Sequence, residues 1–185
     1  ASYAMYFPVD KPVKPIVIAP LQDNVQYNVD HAGGENFMIY TNQNAVNYRL
    51  VEAPISDTSI SNWKDVIPNR SDIFLEGVDY FKEYMAVQET KEGLAKIRII
   101  KYKDQSSHEL EFGEPAYTAS LGYNPAFETD VVRYSYTSMT TPNSVYDYNM
   151  ENRDKILMKE QSVLGDFNKE NYQTERVMVT ARDGK

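Results

Sequence analysis

The chain has 185 residues, 42% hydrophobic and 25% charged, no cysteine, and a formal charge of −8 from 19 basic and 27 acidic side chains. The missing cysteine excludes disulfide frameworks, cysteine nucleophiles and thiolate metal sites. The acidic balance argues against a nucleic-acid partner, which calls for clustered Lys and Arg, and no apolar run approaches the roughly 18 residues of a membrane helix.

Fifteen Tyr against seven Phe and one Trp favour strands over helices. In chain order, short β-branched and aromatic runs separated by Asn, Asp, Gly and Pro predict strands. Tyr3–Phe7 and Ile16–Ile18 come first, followed by Val25–Asp30, Phe37–Thr41, Val46–Val51 and Trp63–Ile67. The next set is Asp72–Val78, Tyr84–Glu89, Leu94–Lys101 and His108–Phe112, and the last is Val131–Thr137, Ser144–Met150 and Lys155–Met158. Before residue 150 no segment sustains a 3.6-residue apolar period, so the chain reads as all-β. After Lys159 a polar connecting stretch leads to Glu175–Ala181, an alternating run that predicts one more strand. The chain opens without Met or a basic-then-apolar leader and stops on Ala181-Arg-Asp-Gly-Lys185. Both ends read as cuts, and a cytoplasmic or periplasmic location is the expectation.

The runs beginning at Phe37, Tyr84 and Val131 start 47 residues apart and then 47 again. Tyr48-Arg-Leu-Val, Lys96-Ile-Arg-Ile and Val145-Tyr-Asp-Tyr follow at matching offsets. Four strands recurring every 40 to 50 residues or so are the signature of a β-propeller. The predicted architecture is a partial propeller of about three and a half four-stranded antiparallel blades. Its blades span residues 1–22 (partial), 23–68, 69–115 and 116–161, and residues 162–185 form a linker and the first strand of a further domain. An unclosed ring leaves blade edges open, so pairing with a second copy as a homodimer is expected.

Several dispersed segments resemble one family. Asn69-Arg-Ser-Asp-Ile-Phe-Leu-Glu-Gly-Val-Asp-Tyr-Phe-Lys-Glu-Tyr84 and Lys91-Glu-Gly-Leu-Ala-Lys-Ile-Arg98 are similar to the propeller of oligopeptidase B, in the prolyl oligopeptidase family of serine peptidases. Phe112–Tyr117, Arg133–Pro142 and Ser144–Met150 resemble its final blades, and Val163–Phe167, Tyr172–Arg176 and Ala181–Gly184 its crossing into the hydrolase domain. The resemblance implies a seven-bladed propeller capping an α/β-hydrolase domain, admission of short peptides to a Ser-Asp-His triad, and cleavage after Arg or Lys without a cofactor. Short basic peptides and the catalytic domain are then the expected partners. The chain departs from the family in holding no G-x-S-x-G nucleophile elbow and only two histidines, so no catalytic residue carries over. Two rivals stand: a prolyl oligopeptidase-type parent cleaving after Pro, which Gly93–Arg98 disfavours, and a stand-alone propeller that binds without catalysis.

Asp30 and Asp79, near the ends of the expected innermost strands, are the candidates for lining a central tunnel. The other chemically suggestive residues have structural readings. His31 ends a strand before Ala32-Gly-Gly-Glu and His108 follows a polar loop, with neither metal-ligand spacing nor a third ligand. Glu109 and Glu111 are expected on a solvated outer-strand face. Asp147, Asn149 and Glu151 alternate as calcium ligands do but lack the glycine and later Glu of such a loop. Trp63 and the repeat tyrosines are expected to fill the cores between blades, and Pro142 to shape a hairpin.

Overall fold

The computed structural model describes residues 3–11 and 13–184, so both outermost ends of the expected domain ranges fall outside the described residues. Strands β1 (Met5–Tyr6) and β2 (Ile16–Val17) pair antiparallel. Three four-stranded antiparallel sheets follow, each wound strand by strand. The first holds β3 (Tyr27–Asp30), β4 (Asn36–Thr41), β5 (Arg49–Pro54) and β6 (Lys64–Ile67). The second holds β7 (Ile73–Tyr80), β8 (Tyr84–Lys91), β9 (Leu94–Lys101) and β10 (Ser107–Glu109). The third holds β11 (Tyr117–Leu121), β12 (Val131–Ser138), β13 (Ser144–Asn149) and β14 (Lys155–Glu160).

In the first two blades the middle strands carry buried apolar residues on both faces because both faces are covered. Ile39, Val51, Val87, Ile97 and Val132 are wholly buried. Three cores alternate with the sheets. Ile18, Phe37 and Val51 lie between the two-stranded sheet and the first blade. Met38, Leu50, Leu75, Met85 and Val87 fill the seam between the first and second blades. Ala86, Ile97, Ile99, Val132, Tyr134 and Tyr148 fill the seam between the second and third. Trp63 packs at the first of these, its indole N–H donating to the Thr58 carbonyl at 3.0 Å. By contrast every residue of β14 is exposed. The β8–β9 hairpin turns on Glu92 (φ 51°) and Gly93 (φ 73°), the two left-handed positions of a type I′ turn, where Gly costs least.

Three expectations are corrected, and a fourth, the strand at Glu175–Ala181, finds no partner strand among the described residues. Val46 belongs to a turn and is 90% exposed; left-handed backbone at Asn44 and Tyr48 delays β5 to Arg49. Strand β11 has no counterpart among the predicted strands, since Thr118, Ala119 and Ser120 dilute its apolar pattern. The expected strand Glu175–Ala181 forms no ladder: Val177, Met178 and Val179 are more than 70% exposed, and an alternating sequence becomes a strand only where a neighbour accepts its hydrogen bonds. Finally, the 47-residue step from Phe37 to Tyr84 joins residues on opposite faces, since Phe37 faces the preceding sheet and Tyr84 the following one. The face-matched pairs are Phe37 with Met85 and Met38 with Ala86, one residue further on. A slip of one residue reverses every side chain in a strand.

Residues 162–184 carry no strand among the described residues, only a single 3₁₀ turn at Lys169–Asn171. This segment touches the blades at the β8–β9 and β12–β13 turns. Arg176 donates to the Glu92 carbonyl, and the Thr174 and Thr140 hydroxyls lie 3.2 Å apart. The β12–β13 turn, which contains Pro142, is braced by Glu114. That carboxylate accepts from the hydroxyls of Ser138 at 2.7 Å, Thr140 at 2.6 Å, Thr141 at 2.9 Å and Tyr136. Burial pushes the Glu114 carboxyl up, but the four hydroxyl donors win and hold it at about 2. A carboxyl depressed in the folded state stabilises above its unfolded pKa and loses that contribution as pH falls through the folded value. Glu114→Gln is therefore expected to lower the urea midpoint at neutral pH, with the gap to the unaltered protein closing between about pH 5 and pH 2. A gap independent of pH would contradict a charged Glu114.

Candidate functional site

In an antiparallel sheet alternate turns lie at opposite ends. The turns at 31–35, 81–83 and 122–130 therefore share the end opposite the one touched by residues 162–184. They also meet there. A Cβ on Gly33 would lie 3.6 Å from the Phe127 ring, Lys82 N–H donates to the Phe127 carbonyl at 2.9 Å, and the Lys82 ammonium lies 3.2 Å from Glu128.

At this convergence stand Asp30, the last residue of β3, and Asp79, the penultimate residue of β7, which occupy equivalent positions in the ladders. Asp30 pairs across the ladder with Met38, and Asp79 with Ala86. The separation exceeds the face-matched step by one residue because β7 carries a bulge between Leu75 and Gly77, and an inserted residue restores the side chain to its face. Without that bulge Asp79 would point into the seam occupied by Leu75 and Val78.

Asp79 accepts from the Asn124 side-chain amide at 2.8 Å. Asn124 is itself clamped to the third blade: its carbonyl accepts Arg133 N–H at 2.7 Å and its amide reaches the Gly122 and Arg133 carbonyls. Sequence reasoning passed over Asn124, although the Asn124-Pro125 pair is a turn signal. Both aspartates are raised above the ordinary carboxylate range, Asp30 by desolvation and then by the Asp79 charge, Asp79 by desolvation against the opposing Asn124 hydrogen bond. Asp30 remains exposed, so protein on its flanks strips its water without enclosing it. The neighbouring Tyr80 phenol is pushed far up by burial and by both aspartates. A carboxylate whose proton affinity is raised by desolvation and by a neighbouring carboxylate, as that of Asp30 is, favours an arriving cation.

The remaining candidates are held in structural contacts. His31 Nε2 lies 3.0 Å from the Gly34 carbonyl and its ring meets Phe37 edge-on. His108 Nε2 lies 2.9 Å from the Tyr148 hydroxyl in the seam between the second and third blades; burial, then the Arg153 charge, lowers its pKa. Glu109 lies 3.4 Å from Lys96, while Glu111 falls beyond the end of β10. Asp147 accepts both Nε and Nη2 of Arg133 at 2.7 and 2.8 Å. Asn149 caps its own turn through the N–H groups of Glu151 and Asn152, and Glu151 pairs with Lys101 at 2.6 Å. Among the described residues no group of three or more His, Cys, Asp or Glu side chains is placed to hold a metal, and no helix is long and apolar enough to cross a membrane.

Comparison with known proteins agrees with this architecture. The family model for the prolyl oligopeptidase N-terminal β-propeller domain matches residues 2–161. "Dipeptidyl aminopeptidase BI" of Pseudoxanthomonas mexicana is 41% identical over 170 residues, 91% of this chain and 23% of that relative. "Protease 2" of Moraxella lacunata is 23% identical over 95% of the chain and 25% of its own length. Among solved structures, oligopeptidase B from Trypanosoma brucei with covalently bound antipain superimposes with a TM-score of 0.87 at 25% identity, covering 99% of this chain and 27% of that one. The chain thus spans about a quarter of the proteins it matches. Matched along most of its length by that propeller model, and built of the same repeated four-stranded sheets, the chain belongs to the N-terminal β-propeller domain of the prolyl oligopeptidase family of serine peptidases.

Proposed function

We propose that the chain is the non-catalytic, peptide-admitting part of a serine peptidase, passing short cationic peptides towards a hydrolase domain and excluding folded proteins. The observation that carries this reading is the Asp30–Asp79 pair at the convergence of the first strands, on the end of the blades away from residues 162–184. Carboxylates facing a narrow opening concentrate a cationic ligand at its mouth. Residues 162–184 then join this gate to the catalytic half, and motion about such a connection controls entry. A serine hydroxyl is a weak nucleophile without a positioned base, and both histidines are engaged in the blades, so the chain by itself is expected to be inert.

Cleavage after Arg or Lys fits the Asp30–Asp79 carboxylate pair. A second reading, removal of N-terminal dipeptides, is favoured by the 41% identity to the relative named as a dipeptidyl aminopeptidase, because a free terminal ammonium is as cationic as a basic side chain. The full-length peptidase and the 185-residue chain should be compared on a blocked fluorogenic peptide ending in Arg, one ending in Pro, and an unblocked dipeptide. The expected result is Arg cleavage by the full-length protein and none by the chain. Asp30→Asn with Asp79→Asn should lower kcat/KM on cationic peptides about tenfold at low salt and leave neutral peptides unchanged. Hydrolysis by the purified chain would end the division of labour, and a preference for Pro or for the unblocked dipeptide would reassign the specificity.

A further inference from the structure

Side-chain packing joins the blades pairwise, each core lying between one sheet and the next. The connection from β11 to β12 does more. Spanning residues 122–130, it exceeds the roughly two to five residues of an ordinary hairpin loop, and it reaches from the third blade past the second to the first. Both of its ends are pinned to the third blade. Gly122 N–H donates to the Arg133 carbonyl at 2.8 Å, and a Cβ there would come within 3.1 Å of that oxygen. The Asn124 carbonyl accepts Arg133 N–H, the Thr129 hydroxyl accepts Val131 N–H at 3.1 Å, and the Asp130 carbonyl accepts Met150 N–H at 2.7 Å. The middle of the loop is held by the other two blades. Lys82 of the second donates its backbone N–H to the Phe127 carbonyl and sets its ammonium against Glu128. The Phe127 ring goes on to the first blade, where Gly33, at φ 83°, presents bare backbone and a Cβ would stand 3.6 Å from the ring.

This arrangement has a mechanical consequence. The width of an opening bounded by the ends of the first strands depends on the angle between successive blades. Widening it parts the first blade from the second or the second from the third. A link from the third blade to the first opposes both movements, because each stretches the same segment. Asn124 also donates to Asp79 at 2.8 Å, so the link stands at the end of the blades where the two aspartates lie. Phe127 is 39% exposed: part of the ring is covered and part meets water, which suits a contact that opens and closes, since moving elements are drawn from the less stable parts of a fold.

We infer that Phe127 is a specificity-determining residue of the peptide gate, its contact with Gly33 setting the largest peptide that passes. Losing the contact admits longer peptides without changing which bond is cut. The inference rests on the gating role and adds to it the device that fixes the size limit.

The test compares the full-length peptidase with its Phe127→Ala and Phe127→Met variants on two fluorogenic peptides that share one scissile site. One is a pentapeptide, and the other is the same sequence carrying a flexible Gly-Ser tail to about 30 residues. In Phe127→Ala, kcat/KM for the long peptide should rise about tenfold, which is about 1.4 kcal/mol, with the pentapeptide unchanged. Methionine is long and adaptable enough to keep the contact, so Phe127→Met should retain most of the limit. Amide exchange in Phe127→Ala should quicken at residues 31–35 and stay as it was in β8 and β9. Unchanged length selectivity in Phe127→Ala, an equal loss of activity on both peptides, or unchanged exchange at 31–35 would overturn the role of Phe127 and leave the gate standing. Equal cleavage of both lengths by the unaltered protein would overturn the gate itself, and the size limit with it.

Discussion

Replacing Glu89 alone by Leu is expected to destabilise the protein by about 3 kcal/mol, the lower part of the range for breaking a buried ion pair from one side. Glu89 is 2% exposed in the second blade. It accepts from Arg98 Nη2 at 2.6 Å and Nε at 3.3 Å, and from Arg70. Burial pushes its carboxyl up, yet the hydrogen bonds and charges of Arg98 and Arg70 hold it below the ordinary range. The substitution leaves two guanidinium groups without their anion. Their side chains are 20% and 27% exposed, so water relieves part of the cost and the lower figure applies. Changing all three together, Arg70→Met with Glu89→Leu and Arg98→Met, should restore most of the loss, because ion pairing in a buried site roughly balances its own desolvation. Urea denaturation of both variants decides the matter. A single substitution costing under about 1 kcal/mol would mean that the arginines are already solvated.

Tyr134→Ala should cost about 3–5 kcal/mol, the range for emptying a buried aromatic site. Tyr134 is 1% exposed in the core joining the second and third blades. Its ring stacks on Tyr146 with centroids 5.4 Å apart and meets Phe112 edge-on at 5.7 Å. The cavity would open in the seam itself, where neighbouring blades are joined by side-chain packing, so the effect should reach beyond β12 to the docking of the two blades. Tyr123→Ala, at a residue 84% exposed, serves as the control and should stay within about 0.5 kcal/mol. Hydrogen exchange should show β8, β9 and β12 losing protection together in the core variant. Loss confined to β12 would show that the blades hold together without this ring.

The all-β class and its recurrence were legible from residues alone, because the middle strands of the first two blades are covered on both faces and are largely apolar. Phe37–Thr41, Tyr84–Glu89 and Leu94–Lys101 announce themselves for that reason. Strand β11 does not, since Thr118 and Ser120 interrupt the apolar pattern of Tyr117–Leu121. The region 175–181 has the alternation of a strand without a partner to pair with, and alternation reports which faces a strand would have, not whether a neighbour exists.

The candidate site divides in the same way. The sequence by itself determined that the chain carries no cysteine chemistry and no serine elbow, that its blades repeat at nearly constant spacing, and that Asp30 and Asp79 fall near the ends of strands. Only the tertiary structure decided the face on which each aspartate stands, since that depends on the single extra residue of the Leu75–Gly77 bulge. It alone brought Asn124 to Asp79 across 45 residues. Periodicity along a chain records burial. Which side chains share a space depends on register and on the packing of one sheet against the next, and both are settled only when the sheets meet.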